Sequence, residues 1–149
     1  MAADQGEPVR FGWAEGARRN LQIVLPVSEH SARLARRVAR TVLAAWQLPD
    51  TEETAVLLLS ELVMNAIQHA RGTETIVVEL EAVKSRLRIE IADEDPRWPQ
   101  PRTPDESGES GFGFLLVDAL ASRWGVRQTA AGKAVWAELE SPQTSEPET

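Results

Sequence analysis

The chain of 149 residues contains no cysteine. This absence excludes disulfide scaffolds, zinc–thiolate sites and cysteine nucleophiles. Long apolar runs are absent too, since none approaches the roughly 20 residues that a membrane-spanning helix needs. The amino-terminal residues do not combine a basic start with an apolar stretch, so no secretory signal is expected. These absences predict a soluble, cytoplasmic protein with no membrane partner.

Positive charge is in short supply. The chain has 16 Lys and Arg residues against 23 Asp and Glu residues, which gives a net charge of −7. A surface with this excess of negative charge is poorly suited to a polyanion, so direct binding of nucleic acid is not expected. The hydrophobic content of 42% is enough for one compact domain with a core.

Sequence patterning divides the chain into one domain, residues 18–140, between two tails. Residues 1–17 and residues 141–149 are polar and unpatterned, and both are expected to be flexible. The predicted elements are a strand at 19–27, helices at 28–46 and 49–70, strands at 73–83 and 86–95, a loop at 96–110, a helix at 112–122 and a hairpin at 123–140. Short turns between consecutive strands imply antiparallel pairing. The expected fold class is therefore α+β, a two-layer sandwich with a mixed, mostly antiparallel sheet and helices on one face.

A narrow polar stripe runs along the second predicted helix. In LSELVMNAIQHA, residues 59–70, Glu61, Asn65 and His69 recur at steps of four and so share one face. The apolar arc around them is wide, which suits a mostly covered helix whose polar groups need partners. One interpretation is the wet face of an amphipathic helix. The chemical alternative is a Mg²⁺ anchor at Asn65, with Glu61 one turn away as a base.

Two further features carry the chemistry of nucleotide binding. Asp93 ends a predicted strand, where a carboxylate can accept a hydrogen bond from an exocyclic amine such as that of adenine. The alternative is ordinary turn chemistry with Asp95 and Pro96. Gly111 and Gly113 open a predicted helix, where glycines let phosphate oxygens approach backbone N–H groups. The alternative is a loop that enters a helix, and neither feature alone decides between its two interpretations.

The order of these features resembles the GHKL ATP-binding fold of histidine kinases, type II topoisomerases, heat-shock chaperones and mismatch-repair ATPases. SELVMNAIQHA is similar to the N box of that family, and SGFGFLLVDALASRWGV is similar to its second glycine box with the following helix. The resemblance covers about residues 19–140. A chain of this length leaves no room for the second domain or phospho-accepting helices of the larger members. The expected branch is therefore the anti-sigma-factor serine/threonine kinases.

The resemblance implies a site for ATP and Mg²⁺. Glu61 would be the catalytic base, Asn65 would hold the metal ion and Asp93 would bind the adenine amine. Residues 96–110 would form a lid over the nucleotide. The full nucleotide-binding set that the resemblance implies is Asn65, Asp93, Gly111, Gly113, Phe114 and Leu115.

Three departures from the family pattern bear on phosphoryl transfer. The first glycine box is replaced by DEDPRW, which has no glycine. Glu109 and Phe112 stand where the family often has an arginine, although Arg97 or Arg102 in the lid could substitute. Ala134 stands where the closing hairpin usually has a threonine. These departures favour an alternative, a non-catalytic GHKL-like interaction module, whereas the intact Glu-x-x-x-Asn pair favours the kinase.

One face of the first predicted helix is basic. It carries Arg33, Arg36, Arg37 and Arg40. One interpretation is a solvated face, and the other is a docking stripe for an acidic partner. The resemblance implies two kinds of partner: a sigma factor held away from RNA polymerase, and an anti-sigma-factor antagonist phosphorylated on serine or threonine. A homodimer is left open.

Overall fold

A computed structural model of the chain describes residues 9–13, 18–97 and 112–140. Within these ranges six strands and three helices follow one another. They are β1 Val9–Trp13, β2 Arg18–Pro26, α1 Glu29–Ala45, α2 Pro49–His69, β3 Thr75–Val83, β4 Arg86–Asp93, α3 Phe112–Leu120, β5 Arg123–Gln128 and β6 Lys133–Glu140. Every helix and strand predicted from the sequence is present, with its ends displaced by a few residues at most, whereas most of the predicted loop at 96–110 lies outside the described residues.

The six strands form a single sheet in the order β1-β2-β3-β4-β6-β5. All five pairings are antiparallel, which confirms the predicted α+β class. β4 and β6 are neighbours although α3 and β5 lie between them in the chain. This crossover places the end of β4 directly opposite the start of β6, with Asp93 paired with Lys133.

The prediction of an unpatterned tail over residues 1–17 is wrong for Val9–Trp13. These residues form the edge strand β1, which pairs with β2 along its whole length. The physical reason lies in the sequence, because Val9, Phe11 and Trp13 alternate with other residues in the period of a strand. Residues 1–8, 14–17 and the whole predicted carboxy-terminal tail lie outside the described residues.

The core lies between the sheet and the helices. Alternate residues of the central strands are buried, as in Ile76, Val78 and Leu80 of β3. From the other side α2 contributes side chains such as Leu58 and Leu62 to the same cluster. Because a strand alternates faces and a helix buries one arc, the two periodicities meet in one apolar layer.

The first two helices begin as their sequences predict. Ser28 is the N-cap of α1, and its hydroxyl accepts a hydrogen bond from the backbone N–H of His30 at 3.2 Å. α2 begins at Pro49 and has Asp50 and Glu52 in its first turn, where negative charge suits the helix dipole. α1 and α3 both pack against α2, so α2 is the central helix of its layer.

The outward face of the sheet is charged and paired. Glu138 accepts hydrogen bonds from Arg88 at 2.9 Å and from Arg123 at 2.7 Å. Glu90 is bound by Arg88 and Arg127. These glutamates are almost buried beneath the arginines and aliphatic stems that cover them. The arginines of this face are therefore largely neutralised within the molecule.

Candidate functional site

The polar stripe of α2 divides into a half-buried part and an exposed part. Glu61 and Asn65 are half-buried one turn apart, whereas Gln68 and His69 are exposed at the end of the helix. Burial raises the pKa of Glu61 above its ordinary value. A carboxylate with a raised pKa is a stronger base, which is the property that proton removal near neutral pH requires.

The amide of Asn65 is short of a partner. Its Nδ2 atom is buried, and it finds no hydrogen-bond partner among the described residues. A buried polar atom without a partner costs free energy, and a bound group is one of the few explanations for it. An amide can present either its oxygen or its nitrogen to such a group by rotating about the last side-chain bond. The residue therefore fits a site whose ligand comes from outside the chain.

Asp93 is buried at the end of β4, and its carboxylate is held in a fixed position. Its Oδ1 atom accepts a hydrogen bond from the backbone N–H of Asp95 at 2.8 Å. The same oxygen accepts one from the ammonium group of Lys133 at 2.9 Å. Both side chains of this pair are nearly buried, with 4% of Asp93 and 8% of Lys133 exposed. The lysine compensates for the loss of water around this buried carboxylate.

Asp95 fastens the segment after β4 to two other parts of the chain. Its carboxylate accepts hydrogen bonds from the backbone N–H of Arg71, just beyond α2, at 2.8 Å and from the guanidinium of Arg97 at 2.6 and 2.9 Å. Its carbonyl accepts one from Lys133 at 2.9 Å. The Arg97 hydrogen bonds hold the pKa of Asp95 well below its usual range. This cluster joins the end of the helix that carries Asn65 to the strand end that carries Asp93.

Gly132 allows the hairpin to approach the same strand end. An ideal Cβ at this position would overlap the carbonyl oxygen of Asp93 and would lie 2.6 Å from the carbonyl carbon of Glu94. Backbone atoms cannot move aside as a flexible side chain can, so only glycine fits here. The backbone of Gly132 also exchanges hydrogen bonds with Thr129, which closes the hairpin. Lys133 is thereby presented to Asp93.

Comparison with known proteins identifies the family of this arrangement. Residues 25–139 match the family described as the histidine kinase-like ATPase domain. The chain belongs to this family. It is 37% identical over 81 residues to an uncharacterized protein of Streptomyces coelicolor, an alignment that covers 52% of this chain and 76% of that protein.

The fold of this histidine kinase-like ATPase domain also matches a solved structure. The crystal structure of the RsbU and RsbW domains of Rv1364c from Mycobacterium tuberculosis superimposes with a TM-score of 0.64 and 22% sequence identity. The match covers 81% of this chain and 32% of the solved chain, so the domain spans about a third of that protein. At this identity the match establishes the shared fold, which agrees with the sheet and helix order described above.

The domain departs from its family where the first glycine box is expected. In DEDPRW the side chain of Asp93 accepts hydrogen bonds from the backbone N–H of Asp95 and from Lys133, and Lys133 also donates to the carbonyl of Asp95. Lys133 was not among the residues predicted from the sequence. Only the strand register, which pairs it with Asp93, gives it a role. No local motif around it could have supplied that signal.

The second glycine box is only partly described. Gly113 and Phe114 lie in the first turn of α3, and Leu115 is exposed on the same helix. Gly111 and most of the predicted lid, including Arg102, lie outside the described residues. Arg97 of the lid is described, and its guanidinium is bound to Asp95. In this arrangement the Nε and Nη2 atoms of Arg97 are engaged by Asp95.

The basic face of α1 is exposed and mostly unpaired. Arg33, Arg37 and Arg40 are exposed, and no ion pair or hydrogen bond of their guanidinium groups is found within the described residues. Arg36 donates a hydrogen bond to the hydroxyl of Ser60 at 3.1 Å. Leu34, on the same helix, is 44% exposed. This basic face with its apolar neighbour contrasts with the outward sheet face, where Arg88, Arg123 and Arg127 bind glutamates.

Proposed function

We propose that this domain binds ATP with Mg²⁺ and acts as an anti-sigma regulatory factor that phosphorylates a serine or threonine of an antagonist protein. The observation that carries the proposal is the half-buried pair on α2. Asn65 has a buried amide without a partner, and the pKa of Glu61, one turn away, is raised. Family membership in an ATPase domain supports the nucleotide, and the RsbW domain of a structural relative supports the regulatory branch.

The nucleotide would be held at two ends. Asp93, fixed by Lys133 and by the Asp95 backbone, would accept a hydrogen bond from the amine of adenine. Asn65 would turn its amide oxygen to Mg²⁺. In nucleotide sites this ion is bound by protein oxygens together with phosphate oxygens, and it neutralises the charge of the phosphates. Among the described residues no group of three or more His, Asp or Glu side chains could hold a metal ion by itself. An ion delivered with the phosphates suits a site with one amide anchor.

Glu61 would act on the attacking hydroxyl. A serine hydroxyl must lose its proton as it attacks the terminal phosphate, and a carboxylate within hydrogen-bond reach can accept that proton. Partial burial makes Glu61 more basic than an exposed carboxylate. The negative charge of the transferred phosphoryl group must also be stabilised by positive groups. Arg97, the described arginine of the predicted lid, is already in an ion pair with Asp95.

That engagement of Arg97 favours a second candidate function. A module that binds nucleotide and partner proteins without transferring phosphate needs no arginine at the terminal phosphate. The tight Asp95–Arg97 pair, with two guanidinium hydrogen bonds, fits such a module well. The two functions share the adenine and partner surfaces, so they differ only in whether a phosphorylated product appears.

The partner surface would be the basic face of α1. On a chain with a net charge of −7, Arg33, Arg37 and Arg40 are exposed, and their guanidinium groups form no ion pair within the described residues. Guanidinium groups beside an exposed leucine suit an acidic partner with an apolar anchor. A sigma factor and an anti-sigma-factor antagonist are the partners that this branch of the family implies.

Phosphate transfer tests the proposal. The protein is incubated with Mg-ATP and with antagonist proteins encoded nearby, and mass spectrometry looks for a phosphorylated serine or threonine. Glu61→Ala should keep nucleotide affinity and lower the transfer rate roughly 10²–10⁴-fold, the range for loss of a general base. Asn65→Ala should weaken Mg-nucleotide binding and transfer together. Gln68→Ala, an exposed change on the same helix, should alter neither.

The outcomes separate the two candidate functions. Tight binding of Mg-ATP by the wild type with no phosphorylated product from any antagonist would establish the non-catalytic module. Equal transfer by Glu61→Ala and wild type would remove the assignment of the base and leave nucleotide binding intact.

A further inference from the structure

Lys133 is a buried lysine beside Asp93, the carboxylate proposed to bind adenine, and the proposed function uses it only to hold Asp93 in place. An ammonium group has three N–H donors. Two of them are accounted for, by Asp93 Oδ1 at 2.9 Å and by the carbonyl of Asp95 at 2.9 Å. Within the described residues the third N–H has no acceptor, although only 8% of the side chain is exposed. A buried donor without an acceptor is costly, so a ligand acceptor is expected beside it.

The carboxylate of Asp93 also has one atom without a hydrogen-bond partner among the described residues. Its Oδ1 atom accepts both hydrogen bonds that the described residues make to the group. Oδ2 has no donor among those residues. The ion pair therefore presents one acceptor, Oδ2, and one donor, the third N–H of Lys133, side by side at the end of β4.

We propose that Lys133 reads the base of the nucleotide by donating its third N–H to N1 of adenine, while the N6 amine of the same base donates to Asp93 Oδ2. Adenine carries this donor and this acceptor on adjacent atoms of one edge, which matches the pair. At the corresponding atoms guanine presents an acceptor, O6, and a donor, N1–H, so O6 would face the carboxylate oxygen and N1–H would face the ammonium group. The inference rests on the proposed nucleotide site and names the residue that selects its base.

The third N–H can be tested on the wild-type protein with a nucleotide analogue. In 1-deaza-ADP a carbon atom replaces N1, so the base keeps its N6 amine and its shape but loses the acceptor. Calorimetry in the presence of Mg²⁺ compares it with ADP. Binding of 1-deaza-ADP should be weaker by about tenfold, because the buried ammonium N–H is left unpaired.

Variants then assign the discrimination to Lys133. Lys133→Met and Lys133→Thr should bind ADP more weakly than wild type does and should bind ADP and 1-deaza-ADP with equal affinity. The matched control is Lys84→Met, since Lys84 is the other lysine of the chain and is exposed in the turn between β3 and β4. It should keep the wild-type affinities. Circular dichroism checks that each variant is folded, and the wild-type comparison stands without any variant.

The possible results distinguish this inference from the proposed function. Equal binding of ADP and 1-deaza-ADP by the wild type would overturn the role of Lys133 and leave nucleotide binding in place. Discrimination retained in folded Lys133→Met would overturn it as well. No binding of ADP by the wild type would overturn the nucleotide site and this inference together.

Discussion

Single residues set the geometry of the proposed site, and Gly132, in the hairpin that packs against the end of β4, has no room for a side chain. A methyl group at this position would overlap the backbone of Asp93 and Glu94. We expect Gly132→Ala to lower the free energy of unfolding by roughly 1–3 kcal/mol, the usual cost of overpacking. It should also weaken ADP binding, because the strand end that carries Asp93 must move.

Urea unfolding and ADP titration measure both effects. Ala131→Ser, an exposed change at the neighbouring position, is the control and should resemble the wild type in both measurements. Wild-type stability in Gly132→Ala would show that the hairpin and the strand end do not touch as described.

For single residues, the sequence predicted that Glu61 and Asn65 share one helix face, but it did not predict the contact between Asp93 and Lys133. Glu61 and Asn65 lie four positions apart, so helical geometry alone placed them on one face, and the structure shows both half-buried there. Lys133 and Asp93 are forty positions apart and meet only through the register of β4 and β6. Pairing register depends on the whole sheet, which no local pattern describes.

Helices and strands were predictable wherever their periodicity was strong. α1 has Ser28 as its N-cap, α2 begins at Pro49 with acidic residues in its first turn, and both helices are present within a few residues of the predicted bounds. β1 was missed because it is short and lies among polar residues, so its alternation covers only Val9, Phe11 and Trp13. It is also an edge strand, which is stabilised by pairing with β2 rather than by its own pattern.

The element that carries the proposed partner surface is α1. Reversing charge in Arg37→Glu/Arg40→Glu should weaken the complex with the sigma factor or antagonist, since an acidic partner would then meet like charge. Rising salt should weaken the wild-type complex, because exposed charges are screened. ADP affinity should not change, as neither arginine contacts the strand end described above.

Surface binding assays over a range of salt concentrations measure this effect. The control is Lys84→Glu/Arg86→Glu, which makes the same change in net charge at the turn after β3 and at the first residue of β4, away from α1. If the α1 variant binds its partners as tightly as the control does, the basic face of α1 is solvated and has no docking role.

At the scale of the whole molecule, the perturbed carboxyl groups act in opposite directions on stability. Hydrogen bonds from Arg97 lower the pKa of Asp95. Burial alone would raise the pKa of Glu138, but hydrogen bonds from Arg123 and Arg88 outweigh it and lower the pKa. A lowered pKa in the folded state means that the ionised group stabilises the fold above its ordinary pKa and that this contribution is lost as the pH falls. Burial raises the pKa of Glu61 and of Glu79, so the ionised forms of these two groups destabilise the fold.

The free energy of unfolding should therefore decline as the pH falls below the ordinary range of carboxyl groups, where Asp95 and Glu138 become protonated. Arg97→Gln removes the largest cause of the lowered pKa of Asp95, so this variant should lose less stability on acidification than the wild type does. Glu61→Gln should be more stable than the wild type at neutral pH, because a partly buried charge is replaced by a neutral amide. Urea unfolding at a series of pH values measures both differences. An identical pH dependence in Arg97→Gln and wild type would mean that Asp95 is not held ionised by Arg97.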